Sequence, residues 1–295
     1  MNSPSVVRAH LYLLLYAVLI ATSFPLASYL GQSYSPLLTT LARFSLAAIG
    51  FVVLLQKQRL LRGISVSQLL RYSAISLPLT GFFLLMFIAG ESASAIDMSS
   101  ISTTVPLFSV LFAYFGWRQR SSAVRVMALL LGVFGALWLI SNANISSLGQ
   151  GGWPIGNSIF LAACALMGLY PLILKQLHRG EPMLVITGWS LITGCGWLGL
   201  AVAAIQPAWQ LPTSTQMAAI LWLAVATTMV TFFLFQSASM VVGGSSANAY
   251  SLLTPAAVLL LNVGMGGGWP QPLVAVGVVP IIVALLWLLL QDRQT

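Results

Sequence analysis

LYLLLYAVLIATSFPLASYL, residues 11–30, runs for twenty residues without a charged side chain. At 1.5 Å per residue a helix of that length crosses the ~30 Å hydrocarbon core of a bilayer. It does not alternate apolar and polar residues, as a strand of a membrane barrel would. The rest of the chain reads the same way. Of its 295 residues, 59% are hydrophobic and 5% charged, with a mean hydropathy of +0.96. A soluble domain carries about 25% charged residues to face water. Twelve basic and four acidic side chains cannot coat a globule of this size, so the chain is an integral membrane protein built of helices.

Breaking the sequence at proline, glycine and charge clusters predicts ten spans: 11–30, 37–56, 69–90, 95–116, 124–141, 155–175, 183–205, 216–240, 246–265 and 272–290. Charge tests this division. With the N-terminus inside, the inner loops collect Arg8, Lys57, Arg59, Arg62, Arg71, Arg118, Arg120, Arg125, Lys175, Arg179 and Arg293, eleven of the twelve basic residues. The loops near 31–36, 91–94, 142–154, 206–215 and 266–271 contain none. The positive-inside rule then puts both termini in the cytoplasm. It also explains the net charge of +8 without a nucleic-acid partner. Trp153, Trp209 and Trp269 beside outer loops, and Trp117 at an inner end, are expected at headgroup depth. The apolar stretch after His10 lacks an A-x-A-like cleavage site and reads as a retained first helix, not a signal peptide. Cys164 and Cys195 fall inside apolar segments and read as buried thiols, neither a disulfide nor a metal site.

Five helices per half give the halves opposite orientations, and the prolines repeat accordingly. Pro25 and Pro36 match Pro171 and Pro182 at an offset of 146, and Pro106 matches Pro255 at 149. Around the latter pair, STTVPLF (102–108) aligns with SLLTPAA (251–257). The expected domains are 1–145 and 146–295, two inverted five-helix repeats. The same helices carry polar faces. Ser99, Ser102, Thr103 and Pro106 recur at helical spacing on span 4. Asn248, Ser251, Pro255 and Asn262 share an arc on span 9. A polar stripe facing lipid is unfavourable, so these residues face either a cavity or another helix. Each proline is expected to leave a carbonyl one turn earlier, near 102 and 251, without its helical partner.

The chain resembles the drug/metabolite transporter superfamily, the EamA-type ten-helix carriers. The resemblance rests on the five-plus-five layout, the ARFSLAA run at 42–48, and the small-polar-x-Pro pattern at Pro106 and Pro255. It implies a bundle around a central cavity lined mainly by spans 1, 3, 4, 6, 8 and 9, alternating access, and export of amino acids or other small metabolites, with some members importing solutes. Family members often end spans 4 and 9 with Gly-Glu. Here those places read Gly116-Trp117-Arg118 and Gly266-Gly267-Gly268, and the second is expected to be a tight turn.

Enzymatic chemistry lacks its residues. His10 and His178 both lie toward inner-side loops, and no acid among Glu91, Asp97, Glu181 and Asp292 sits mid-membrane. This leaves no Ser–His pair, metal set, carboxylate dyad or phosphate loop, and no cofactor is expected. Proton coupling needs a titratable group in the pathway. Asp97 and Glu91 are the candidates, and facilitated or potential-driven export stands beside proton antiport. Arg43 lies seven residues into span 2, about 10 Å deep. It reads either as a carboxylate anchor or as a structural charge paired with Asp97 or Glu91. The resemblance places it outside the central cavity and favours the second. Tyr170, beside Pro171, and Tyr250 and Trp222 are candidates for stacking on solute, with bundle packing as the alternative. Gln236, Thr227, Thr228 and Thr231 add polar groups on span 8.

These residues describe an all-α integral membrane protein, ten transmembrane helices in two inverted repeats around a central cavity. Its partners are the bilayer and a small polar or amphipathic solute, amino acids leading. Import of a vitamin- or nucleobase-like solute and a non-transporting scaffold subunit remain open readings.

Overall fold

A computed structural model describes residues 4–61, 63–141, 143–144, 153–242 and 244–291. Arg62, Asp292, Arg293, most of the expected loop 142–154 and the expected repeat boundary at 145/146 lie outside the described residues. Ten helices are long and apolar enough to cross a membrane. Spans 1 to 5 are Val6–Ser33, Pro36–Lys57, Val66–Ala89, Ala95–Trp117 and Ala123–Ile140; spans 6 to 10 are Ile155–Leu177, Met183–Ile205, Ser214–Val242, Ala247–Gly264 and Pro272–Leu290. Every expected span is present, displaced at its ends by a few residues, and no strand occurs among the described residues.

Local chemistry explains where the spans start. Ser65 and Thr213 each accept from the backbone N–H three residues on, and Gln68 and Gln216 reach back to close capping boxes. Ser94 and Ser122 cap spans 4 and 5 in the simpler way. Pro36 and Pro272 occupy first helical positions, where a missing N–H costs nothing. Gly266 and Gly268, at φ +89° and +72°, form the turn after span 9.

Successive spans alternate in direction. One end of the bundle carries Arg8, Lys57, Arg59, Arg71, Arg118, Arg120, Arg125, Lys175 and Arg179 and is called the basic end; the other is the far end. Spans 1 and 6 run in opposite senses, as do their successors, which makes the halves an inverted pair. Span 1 is interrupted at Thr22, three residues before Pro25, whose ring nitrogen cannot serve the Ala21 carbonyl. Pro171, its counterpart in span 6, lies inside one unbroken helix.

The two ends are packed differently. Far halves of spans 1, 3, 4, 6, 8 and 9 share one apolar core that includes Phe24, Leu30, Phe87, Met98, Phe160, Ile220 and Val258. Backbones touch there. A Cβ on Gly90 of the span 3–4 turn would sit 2.8 Å from the carbonyl carbon of Ala27, and one on Gly156 would sit 2.7 Å from the amide nitrogen of Ala93. Only glycine permits these approaches. At the basic end the apolar contacts fall into separate groups. Ala9 and Leu13 pack with Ala238, Ala247 and Tyr250 of spans 8 and 9, whereas Tyr72, Ile75 and Ile186 pack together on spans 3 and 7, with Tyr170 of span 6 against them.

Candidate functional site

The polar faces of spans 4 and 9 meet where both helices change winding. Span 4 passes through a 3-10 turn at Ser102–Thr104 and span 9 through one at Tyr250–Leu253. The offset of 149 carries 102–104 onto 251–253, so the repeat extends to a backbone detail. Each turn solves the problem its proline creates. Pro106 has no N–H for the Ser102 carbonyl, and the N–H of Val105 takes it instead. Thr254 does the same for the Ser251 carbonyl ahead of Pro255. The carbonyls expected to be free are therefore occupied, because tightening to i→i+3 bonding restores a donor.

The hydroxyls along these faces are also engaged. Ser99 donates to the Ile96 carbonyl at 2.9 Å, Thr103 to Ser100 at 2.7 Å and Ser251 to Asn248 at 2.8 Å, and Ser102 bonds the Ser99 carbonyl. Ser99 and Thr103 are buried, Ser102 and Ser251 half-buried, and Asn248 exposed. Between the faces, Pro106, Arg125, Leu129, Asn248 and Leu252 enclose about 20 Å³, room for about one water. Asn262 is not part of this group. Its side chain lies beside Gly267, and its carbonyl accepts the Gly267 N–H at 2.9 Å, under the far-end turn.

The aromatic candidates divide between the two basic-end groups. Tyr250 is buried, and its hydroxyl is 2.7 Å from Nδ1 of His10 on span 1. Tyr170 is half-buried with Tyr72, Ile75 and Ile186. Trp222 has a different neighbourhood. Together with Thr22, Pro25, Leu26, Leu261 and Met265 it lines a cavity of about 260 Å³ between spans 1, 8 and 9. The indole N–H bonds Thr22 Oγ1 at 2.9 Å. The sequence signal for this cavity was Pro25, which interrupts span 1 at its wall.

The sequence profile of the EamA-like transporter family matches the chain twice, over residues 7–141 and again over 154–290. The chain belongs to the EamA-like transporter family. A solved crystal structure resembles this EamA-like transporter with TM-score 0.66 at 20% identity, covering 100% of this chain and 99% of the other. At that identity the likeness is one of fold. No curated protein matches the chain.

In this EamA-like transporter Arg43 is 1% exposed, and the expected pairing with Asp97 or Glu91 does not occur. Nε and Nη2 donate to Thr228 Oγ1 at 3.2 and 3.1 Å, and Nη2 also donates to Thr227 Oγ1 at 3.1 Å. The guanidinium stacks over Phe83, 4.2 Å from the ring centre. Thr227 and Thr228 sit in a π-helical segment of span 8, Val225–Val230, and both hydroxyls donate to the Leu223 carbonyl at 2.9 Å. The wider turn offers two hydroxyls to one guanidinium, a geometry that helical periodicity does not announce. Gln236 is half-buried, and Thr231 is buried with its hydroxyl on the Thr228 carbonyl at 3.2 Å. Asp97 accepts instead from Asn157 Nδ2 at 3.4 Å, across spans 4 and 6, and Glu91 is exposed in the far-end turn. Asn157, a lone amide near the start of an apolar helix, was legible but not singled out.

The ion pair among the described residues joins Arg71 of span 3 to Glu181 in the span 6–7 turn. Arg71 also donates to the Leu177 carbonyl at 3.1 Å, and the backbone N–H of Arg179 donates to Glu181 at 2.9 Å. Burial alone would raise the Glu181 carboxyl, but the backbone donors and Arg71 outweigh it and hold the group below its ordinary value of 4.5. Both cysteines are free, Cys164 buried and Cys195 half-buried.

Proposed function

We propose that this membrane transporter is a secondary carrier for small polar or amphipathic metabolites. Amino acids are the leading class and export is the direction, with the basic end and both termini in the cytoplasm. The observation that carries this reading is the paired 3-10 turns in the polar faces of spans 4 and 9, near the middle of the bundle and equivalent under the inverted repeat. A carrier working by alternating access needs a site on its pseudo-symmetry axis with helices interrupted at that level. Amino-acid export rests on the family resemblance. The charge count favours the orientation, since the positive-inside rule operates on short loops such as these.

The test compares metabolite-wide uptake and efflux in cells with and without the gene, repeated with Ser102→Leu and Asn248→Leu. The expected result is loss of transport of one solute class in both variants with folded yield near that of the parent protein. Normal transport by both variants would return these faces to a packing role. A scaffold subunit would show no solute difference at all.

A further inference from the structure

The contact between Asn157 and Asp97 can be made in two ways. Asn157 is 0% exposed near the start of span 6, and its Nδ2 donates to Asp97 Oδ2 on span 4 at 3.4 Å. Its Oδ1 is buried and accepts from no partner. Asp97 is therefore the one hydrogen-bond partner of this amide among the described residues. Half a turn about the last side-chain torsion, which is broad and two-fold in asparagine, breaks that bond alone. It sets the carbonyl where the amide nitrogen stood. Facing a carboxylate, the amide offers an N–H; facing a carboxylic acid, it offers an acceptor to the acid's O–H.

Glu181 has no such freedom. Arg71 and the Arg179 N–H can only donate, and they hold its carboxyl charged. No cation attends Asp97. The far-end loops contain no basic residue, and Arg43 is spent on Thr227 and Thr228. The first turns of span 4 pack against spans 1, 5, 6 and 9. Of the titratable groups there, Tyr29 is exposed, Tyr34 donates to the Gln210 carbonyl, and Cys164 donates to the Ile101 carbonyl. The others on these spans lie in their basic halves. Glu91 is exposed in the preceding turn, and Ser94 accepts the Asp97 backbone N–H at 3.0 Å. A charge inside a span without a counter-charge is costly, and one proton removes it. Asp97 is half-buried as the third residue of span 4, close to the far-side water that would supply the proton.

We propose that Asp97 and Asn157 form a proton-binding site between spans 4 and 6. A proton from the far side closes an O–H bond on the Asp97 carboxylate, Asn157 turns, and that O–H donates to Oδ1. Release reverses both steps. One hydrogen bond joins the spans in either state, so the proton comes and goes without unmaking their contact. On the carrier reading above, this is the proton exchanged for solute.

Infrared difference spectroscopy of the full-length protein in maltoside micelles, stepped through pH, reads the carboxyl directly. The chain has four acids, and Asp97 and Asp292 are its aspartates. Asp292→Asn protein, made by cell-free synthesis with heavy carbon in the aspartate carboxyl, should show one isotope-shifted carboxylic-acid band. Asp97→Asn should abolish that band, and Asn157→Leu should move it. Should Asn157→Leu fail to fold, heavy-carbon asparagine gives the same reading, since one asparagine C=O must change in step with the Asp97 band. A band indifferent to the amide overturns the site. Discharge of the band by sodium chloride, but not by N-methylglucamine chloride at the same pH and ionic strength, would make it a sodium site instead. In cells, efflux of the solute class lost with the gene should depend on outside pH, and Asp97→Asn should lose that dependence. A dependence that survives in Asp97→Asn overturns the coupling. No solute difference at all would sink the carrier reading and leave the proton site to the infrared result.

Discussion

The indole N–H of Trp222 reaches the hydroxyl of Thr22 at 2.9 Å, joining span 8 to the residue of span 1 whose backbone N–H is shared between the Val18 and Leu19 carbonyls. Thr22 in turn donates to the Leu19 carbonyl at 2.7 Å, so a single hydroxyl both receives the indole and closes the turn ahead of Pro25. Trp222→Phe keeps the ring and removes the donor. The expected cost is about 1 kcal/mol, read as a modest fall in Tm. If the adjoining cavity admits amphipathic solute, transport should fall more than stability does. Transport and Tm falling together would mark the contact as a brace.

The far-end seal depends on backbone contact. Gly90→Ala places a methyl group 2.8 Å from the Ala27 carbonyl carbon, and Gly156→Ala places one 2.7 Å from Ser92 Oγ. Overpacking of this kind costs about 1–3 kcal/mol. Gly196 has open space around its Cβ position and provides the control, since Gly196→Ala should be neutral or slightly stabilising. Folded yield and Tm of the three variants decide the matter. An unaffected Gly90→Ala would show that the far ends already stand apart.

Glu181 sets a pH dependence. Its carboxyl titrates below the ordinary value in the folded protein, so its stabilisation is complete at neutral pH. That stabilisation drains away as pH falls through the folded value. Glu181→Gln should lower stability at pH 7 by about 1–3 kcal/mol, the worth of hydrogen bonds to a charged group. It should also flatten the acid limb of the Tm–pH curve. An unchanged acid limb would mean that the Arg71 pair contributes nothing.

Orientation is open to labelling. Trp209 and Trp269 are exposed in far-end turns, and Arg120 is exposed at the basic end. In a background lacking Cys164 and Cys195, an impermeant maleimide applied to intact cells should modify Trp209→Cys and Trp269→Cys and spare Arg120→Cys. The reverse pattern would invert the protein in its membrane.

The spans were legible because lipid enforces a simple rule: every backbone group must be satisfied within a helix, and every outward side chain must be apolar. Runs such as 11–30 therefore announce themselves, and the basic loops divide them. The repeat was legible through Pro25, Pro106, Pro171 and Pro255, since proline marks a backbone irregularity wherever it falls. The partners of polar groups were not. Arg43 found hydroxyls that a π-helical turn brings forward, and nothing in a 3.6-residue period foretells that turn. Asp97 found Asn157, which lies sixty positions away. Ser102 and Ser251 read as facing a cavity or another helix, and the sequence did not show that each hydroxyl donates to its own preceding turn while its oxygen stays able to accept.

The 3-10 turns before Pro106 and Pro255 have a mechanical consequence. Three residues wound at 3.0 rather than 3.6 per turn are about 1.5 Å longer and about 60° further twisted than the same residues in α geometry. Rewinding Ser102–Thr104 would draw the two parts of span 4 together and swing Val105–Trp117 like a crank. Because span 9 runs the opposite way, the same rewinding there would swing the part of the helix that leads to the other face of the membrane. Two opposed screws, of three residues in span 4 and four in span 9, threaded into the bundle from opposite sides, would then exchange which end is gripped and which is released as one rewinds and the other stays tight.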